Sequence, residues 1–136
     1  MMKILYVGSL DPFGTSLSRL ESLREIEAGV QTFDVDPALD FSTKSALQRY
    51  VERQLGWGPR VRAANRALVA TCRELRPDLV WVDKGDWVWS SSLKGLRGLG
   101  CYLVHHVTDA LHPRSGWMAR ERRLLRSTAG DYDLFF

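Results

Sequence analysis

Three short stretches of the chain concentrate side chains that can do chemistry. Residues 9–16, SLDPFGTS, offer hydroxyls at Ser9 and Thr15, a carboxylate at Asp11 and a close-approach position at Gly14. The stretch follows an apolar run and leads into an amphipathic one. It therefore delivers a helix N-terminus, where free backbone N–H groups favour an anion. Neither the GxGxxG dinucleotide fingerprint nor the GxxxxGK[ST] phosphate loop is present. Two readings stand: a loop that only caps its helix, or one wall of a ligand cleft.

Residues 83–90, DKGDWVWS, bring Asp83, Lys84 and Asp86 beside Trp87 and Trp89. Aromatic faces with neighbouring carboxylates suit sugar rings, which present C–H faces and hydroxyl donors. The tryptophans lie two apart and share a face if the segment is extended, so at most one need belong to the core. The plainer alternative packs both indoles inward and leaves the charges solvated. Residues 105–113, HHVTDALHP, add His105, His106 and Asp109. Adjacent histidines on a strand point to opposite faces and ligate one metal poorly; HxH or HxxxH spacing would suit a metal better. His106 or Asp109, at a strand exit, can serve as a general base, against the alternative of a buried, hydrogen-bonded histidine. Arg114, Arg120, Arg122, Arg123 and Arg126 form the densest basic cluster. That cluster is either a solvated helix face or a contact for an anionic membrane surface or a phosphate.

The elements that must position these stretches alternate in type. Strands are expected at 3–8, 30–35, 79–83, 101–107 and 132–136, the first as an unbroken apolar run suited to burial on both faces. Helices are expected at 16–28, with Ser18 and Glu21 as a capping box and Gly29 as the C-cap, then at 44–55. Further helices follow from Val61 to a stop at Pro77, at 90–99 and at 117–127. Residues 36–43 read as an irregular connector. Strand–helix alternation implies a parallel sheet with right-handed crossovers. The expected fold is α/β and Rossmann-like, a doubly wound sheet of order 2-1-3-4-5 with helices on both faces. In that order the exit loops of the first and third strands splay apart and leave a crevice.

The whole chain has 136 residues, 45% of them hydrophobic and 26% charged. That suits one globular domain with a real core. No apolar run approaches a membrane span, and MMKILYVG has too short an apolar stretch for a signal peptide. Cys72 and Cys101 form no CxxC pair and read as reduced core residues, so a cytoplasmic location is expected. The net charge is +3, and fifteen of the nineteen basic residues are arginine. Arginine number alone does not argue for nucleic acid as a partner.

Taken together, MKILYVGSLDPFGTSLSRLESLRE, RPDLVWVDKGDWV, the VHHVTD segment and the terminal YDLFF resemble the N-terminal, acceptor-side domain of GT-B glycosyltransferases, CgeB-like in pattern. In such enzymes two Rossmann-like domains face each other across a cleft. The resemblance implies metal-independent transfer of a sugar from a nucleotide-sugar to an acceptor hydroxyl, with the donor held by a C-terminal domain. Residues 1–136 then form the front half of a two-domain protein, inactive without its donor half and holding no cofactor or metal itself. Asp11 and Asp109 are the implied candidate bases, with His106 behind them. Ser9, Gly14, Thr15, Lys84, Asp86, Trp87 and Trp89 are the candidate acceptor contacts. Partners are then a sugar or other hydroxyl-bearing acceptor and the donor domain, with Arg120, Arg122, Arg123 and Arg126 offered to a membrane surface. The competing class is a non-catalytic flavodoxin- or receiver-like binding domain. A receiver needs acidic residues after its first strand, where Gly8-Ser9-Leu10 stands instead.

Overall fold

The run Ile4–Gly8 (β1) is apolar without alternation, and all five of its residues are buried. In the computed structural model, which describes residues 1–40, 42, 44–107 and 123–136, it pairs in parallel with Val30–Asp34 (β2) and with Leu79–Asp83 (β3). Strand β3 pairs in turn with Tyr102–His106 (β4), and β4 with Leu134–Phe135 (β5). The sheet is all parallel, in the expected order β2-β1-β3-β4-β5. The helices are Thr15–Ile26 (α1), Val35–Ala38 (α2), Ala46–Leu55 (α3), Pro59–Leu75 (α4) and Ser90–Gly98 (α5), and residues 123–128 are helical as well.

Strand alternation divides the core into two layers. Leu5, Val7, Val80, Val82 and Leu103 face Val61, Leu68 and Cys72 of α4 and Leu93 and Leu96 of α5. Ile4, Tyr6 and Val30 face Leu20 of α1, with Leu17, Leu23 and Trp81 at the margin. The helices after β1 and β3 thus lie on opposite faces, which places the topological switch between those two neighbouring strands. Cys72 and Cys101 are buried and free, and burial pushes the Cys72 thiol up to about 12.

Several local expectations are corrected. Helix α1 starts one residue early on Gly14, with no side-chain cap, so Ser18 and Glu21 sit inside the helix rather than forming a capping box. That motif belongs to α3: the Ser45 hydroxyl accepts from the Gln48 N–H at 3.2 Å, and the Gln48 side chain accepts from the Ser45 N–H at 3.3 Å. The C-cap of α1 is Glu27. Gly29 answers a different need, since a Cβ there would lie 2.7 Å from the Met2 carbonyl oxygen. The connector after β2 holds the single turn α2, started by the Asp34 carboxylate accepting from the Asp36 N–H at 3.1 Å. Pro37 fits in that first turn because its missing N–H has no helical partner to lose.

Candidate active site at the carboxyl edge of the sheet

Asp83 ends an otherwise apolar strand, and its residue is only 2% exposed. A buried carboxylate must be compensated, and here three other elements supply the partners. The parallel register sets Asp83 opposite His106 on β4, which puts both side chains on the α1 face. The His106 Nδ1 lies 3.2 Å from Asp83 Oδ1. The other oxygen, Oδ2, accepts from the Arg19 guanidinium at 2.8 Å and from the Ser16 hydroxyl. Ser16 and Arg19 are three apart in the first turns of α1 and so share its inward side. The Tyr6 hydroxyl, from β1, lies 3.0 Å from the same Oδ2 and 2.9 Å from the Ser16 carbonyl oxygen. Its single proton serves one of the two at a time.

Glycine at position 8 makes this convergence fit. A Cβ there would stand 2.9 Å from the Tyr6 ring and 3.4 Å from the Asp83 Cβ. Beyond Asp83 the chain turns through Lys84 in the left-handed region, φ 54°, and the Lys84 N–H donates to the His106 carbonyl at 3.1 Å.

The electrostatics follow from the contacts. Burial alone would raise the Asp83 pKa, but the donors Ser16, Arg19 and His106 and the Arg19 charge outweigh it and hold the carboxyl below its ordinary value. Burial, with the Asp83 charge beside it, pushes the Tyr6 phenol up to about 12. The site thus fixes one anion and one cation in a desolvated corner. The His106 ring stands at its edge with its side chain 19% exposed, against Trp81 and Phe136. An ionised Asp83 at Nδ1 selects the tautomer with the proton on Nδ1, leaving the Nε2 lone pair available as a base.

His105 takes the opposite face, as strand alternation requires. It is fully buried, and its Nε2 accepts from the Gly85 N–H at 3.1 Å. Its ring stacks on Phe135 at 4.7 Å and meets Tyr132 edge-on at 4.9 Å. Burial pushes its pKa down to about 4, so it is a neutral packing residue at physiological pH.

The remaining predicted positions are placed as follows. Asp11 is exposed and turned into its own loop, accepting from the Phe13 N–H at 2.9 Å, without contact to Asp83 or His106. Ser9 donates to Asp36 at 2.6 Å and accepts from the Asp11 N–H at 3.3 Å. Gly14 is the α1 N-cap, and Thr15 accepts from Arg19 at 3.2 Å, which ties the loop to the Asp83 network. Trp87 is 5% exposed and stacks on Phe33, with ring centroids 6.2 Å apart. Trp89 is half-buried and donates its indole N–H to the Gly56 carbonyl at 2.8 Å. Asp86 and Trp87 line a cavity of about 980 Å³ against Val35, Asp36, Arg49 and Tyr50. With Val61 also in its wall, that cavity opens on the α4 side of the sheet, away from Asp83 and His106. Asp109, Arg114, Arg120 and Arg122 lie outside the described residues.

Of the expected positions, the structure brings His106 and, through Thr15, the first loop to one place. Sequence reasoning missed the hub. In sequence Asp83 is one charge among several, Tyr6 one residue of the first strand, and Ser16 and Arg19 two residues of the first helix. The available signal was an acidic residue closing an apolar strand, with a second strand ending in histidine. Among the described residues, no three His, Cys, Asp or Glu side chains gather as a metal-holding group. Comparison with protein-family models, with curated proteins and with solved structures finds no match to the chain, and its classification rests on the five-stranded parallel, Rossmann-like α/β sheet.

Proposed function

We propose that this domain binds a hydroxyl-bearing acceptor at the carboxyl edge of β1, β3 and β4 and that His106 deprotonates it, as the acceptor-side half of a glycosyltransferase. The observation that carries this reading is the Asp83–His106 contact: a buried, ionised carboxylate holding the inner nitrogen of a part-exposed imidazole. Such a pair fixes ring and tautomer and stabilises the imidazolium that forms, without the carboxylate itself taking the proton. In the reaction, the acceptor proton passes to His106 Nε2 and the acceptor oxygen forms a bond to the anomeric carbon of the sugar. The bond from that carbon to the nucleotide diphosphate breaks, its electron pair leaving with the phosphate. The donor and its binding residues belong to the second domain that the resemblance implies. Arg19, Ser16 and Tyr6 keep Asp83 charged and in place.

The experiment is an NMR titration of the chain with methyl glycosides and small polyols, reading the His106 imidazole and the backbone amides of residues 8–16 and 84–89. Saturable shifts centred on His106, lost in His106→Gln, are expected. Shifts confined to the cavity on the α4 side, or none with any acceptor, reject the site. In a preparation that carries out transfer, His106→Gln should lower kcat by about 10²–10⁴ with little change in acceptor KM.

The strand order is also that of flavodoxin-like ligand-binding domains, and it favours a second, non-catalytic reading in which the Asp83 network only anchors α1. Phosphorylation of Asp83 in the manner of a receiver does not suit its 2% exposure and its ion pair with Arg19. Under the second reading His106→Gln leaves ligand binding unchanged.

A further inference from the structure

Helix α3 is built inside out. At 3.6 residues per turn, Leu47, Tyr50, Val51 and Leu55 share one side and Gln48, Arg49 and Glu52 the other. The apolar side is the one in solvent: Leu47 is 71% exposed, Tyr50 63%, Val51 41% and Leu55 55%, and Trp57 just beyond the helix 61%. The buried residue of the helix is Glu52, which accepts from the Arg60 N–H at 3.2 Å. Gly58 is moulded to that carboxylate, since a Cβ there would stand 2.4 Å from the Glu52 Cδ. Glu52 thus seats the helix on the protein, with Gln48 and Arg49 exposed beside it, and an apolar face with two aromatic side chains looks outward.

The charge around α3 is mostly basic; the exposed Asp36 and Asp40 line the cavity on its protein side together with Arg49 and Arg53. From Lys44 to Arg73 the chain carries seven basic residues and one acidic residue, and that one is the buried Glu52. The exposed Arg123 reaches the C-terminal end of α3, donating to the Gln54 carbonyl at 2.7 Å, with the exposed Arg126 one turn further along. Leu124 packs against Gly56, so the basic segment is docked beside the apolar face.

An outward apolar face with Tyr and Trp at its margin, flanked by arginines, matches the layered chemistry of a lipid headgroup region. We infer that α3 lies in the surface of an anionic bilayer, with Leu47, Val51 and Leu55 among the upper acyl chains and Arg123 and Arg126 at the lipid phosphates. The basic excess along α3 and at Arg123 and Arg126 selects this occupant over a second copy of the chain, whose identical segment carries the same excess. Among the described residues no helix is long and apolar enough to cross a membrane, so the contact is interfacial. It shares no residue with the Asp83–His106 site, and either reading stands or falls without the other.

The test is flotation of the whole chain with vesicles of phosphatidylcholine and of phosphatidylcholine mixed with phosphatidylglycerol, at low and high salt. Binding at least about tenfold tighter to the anionic vesicles, weakened by salt, is expected from a few basic side chains at the surface. Leu47→Ser with Val51→Ser should abolish it, and Arg123→Gln with Arg126→Gln should remove the preference for anionic lipid. All four positions are exposed, and circular dichroism checks that the fold persists. No binding to either vesicle overturns the inference, as does equal binding that survives both double variants. A dimer in sedimentation equilibrium that Leu47→Ser with Val51→Ser dissolves, without vesicle binding, assigns the face to a second copy instead.

Discussion

At the scale of residues, Asp83 shows how a buried charge is tolerated. Its carboxylate has no solvent exposure, and its side-chain partners stand at positions 6, 16, 19 and 106. Arg19 is the compensating charge, with 22% of its side chain exposed. Removing one partner of a buried pair is worse than removing both, because the survivor stays desolvated and unpaired. Arg19→Met should therefore cost about 3 kcal/mol in urea unfolding, and Arg19→Met with Asp83→Asn should recover at least about 1 kcal/mol of that. Simple additivity of the two substitutions would mean that the pair is not coupled. His106 provides an independent check, because the Arg19 change should also disorder its imidazole resonances while leaving those of His105 in place.

At the scale of elements, the parts legible in sequence are those that one physical pattern determines. Apolar runs marked β1, β3 and β4, and the stripe Val61, Ala64, Leu68, Cys72 marked α4, because burial on two faces or on one helix side leaves a periodic trace. The His105/His106 split was legible for the same reason. The Asp83 hub was not, because its contacts join four elements and depend on register, which no local pattern carries. The capping box was assigned to Ser18 rather than Ser45 because the motif recurs by chance wherever serine precedes a polar residue by three. The room that Gly8 leaves was not legible either: it reads as the end of the first strand, yet its lack of a Cβ makes room for the Tyr6 ring to reach Asp83. Gly8→Ala should cost about 1–3 kcal/mol, as overpacking does, and should displace Tyr6 so that a fluorotyrosine resonance at that position shifts. An unchanged resonance with unchanged stability would show that β1 yields freely there.

At the scale of the whole molecule, the two faces of one sheet handle adjacent histidines in opposite ways, and this sets how stability depends on pH. His106 is held by a carboxylate at the sheet edge. His105 is enclosed between Phe135 and Tyr132 with its Nε2 committed to the Gly85 N–H, and burial lowers its pKa from 6.5 to about 4. Protonation would cost it that hydrogen bond and charge the core, so it takes a proton readily only in the unfolded chain. Between pH 6.5 and 4 the unfolded state binds more protons than the native state, and stability rises with pH. The stability associated with a neutral His105 is therefore complete above pH 6.5 and is lost progressively down to about 4. A shift of this size corresponds to about 3 kcal/mol across that window. Asp83 acts lower on the scale: its folded pKa lies below the ordinary 3.8, so its contribution is present above that value and fades only as pH falls through the depressed one. The two effects separate on the pH axis. Urea midpoints measured from pH 7.5 to 4 should fall along the His105 window in the native chain. In His105→Gln, which keeps a polar side chain for the Gly85 N–H and does not titrate, the protein should be weaker at pH 7 but nearly flat over the same range. A decline of equal slope in the variant would place the sensitive group elsewhere than between β4 and β5.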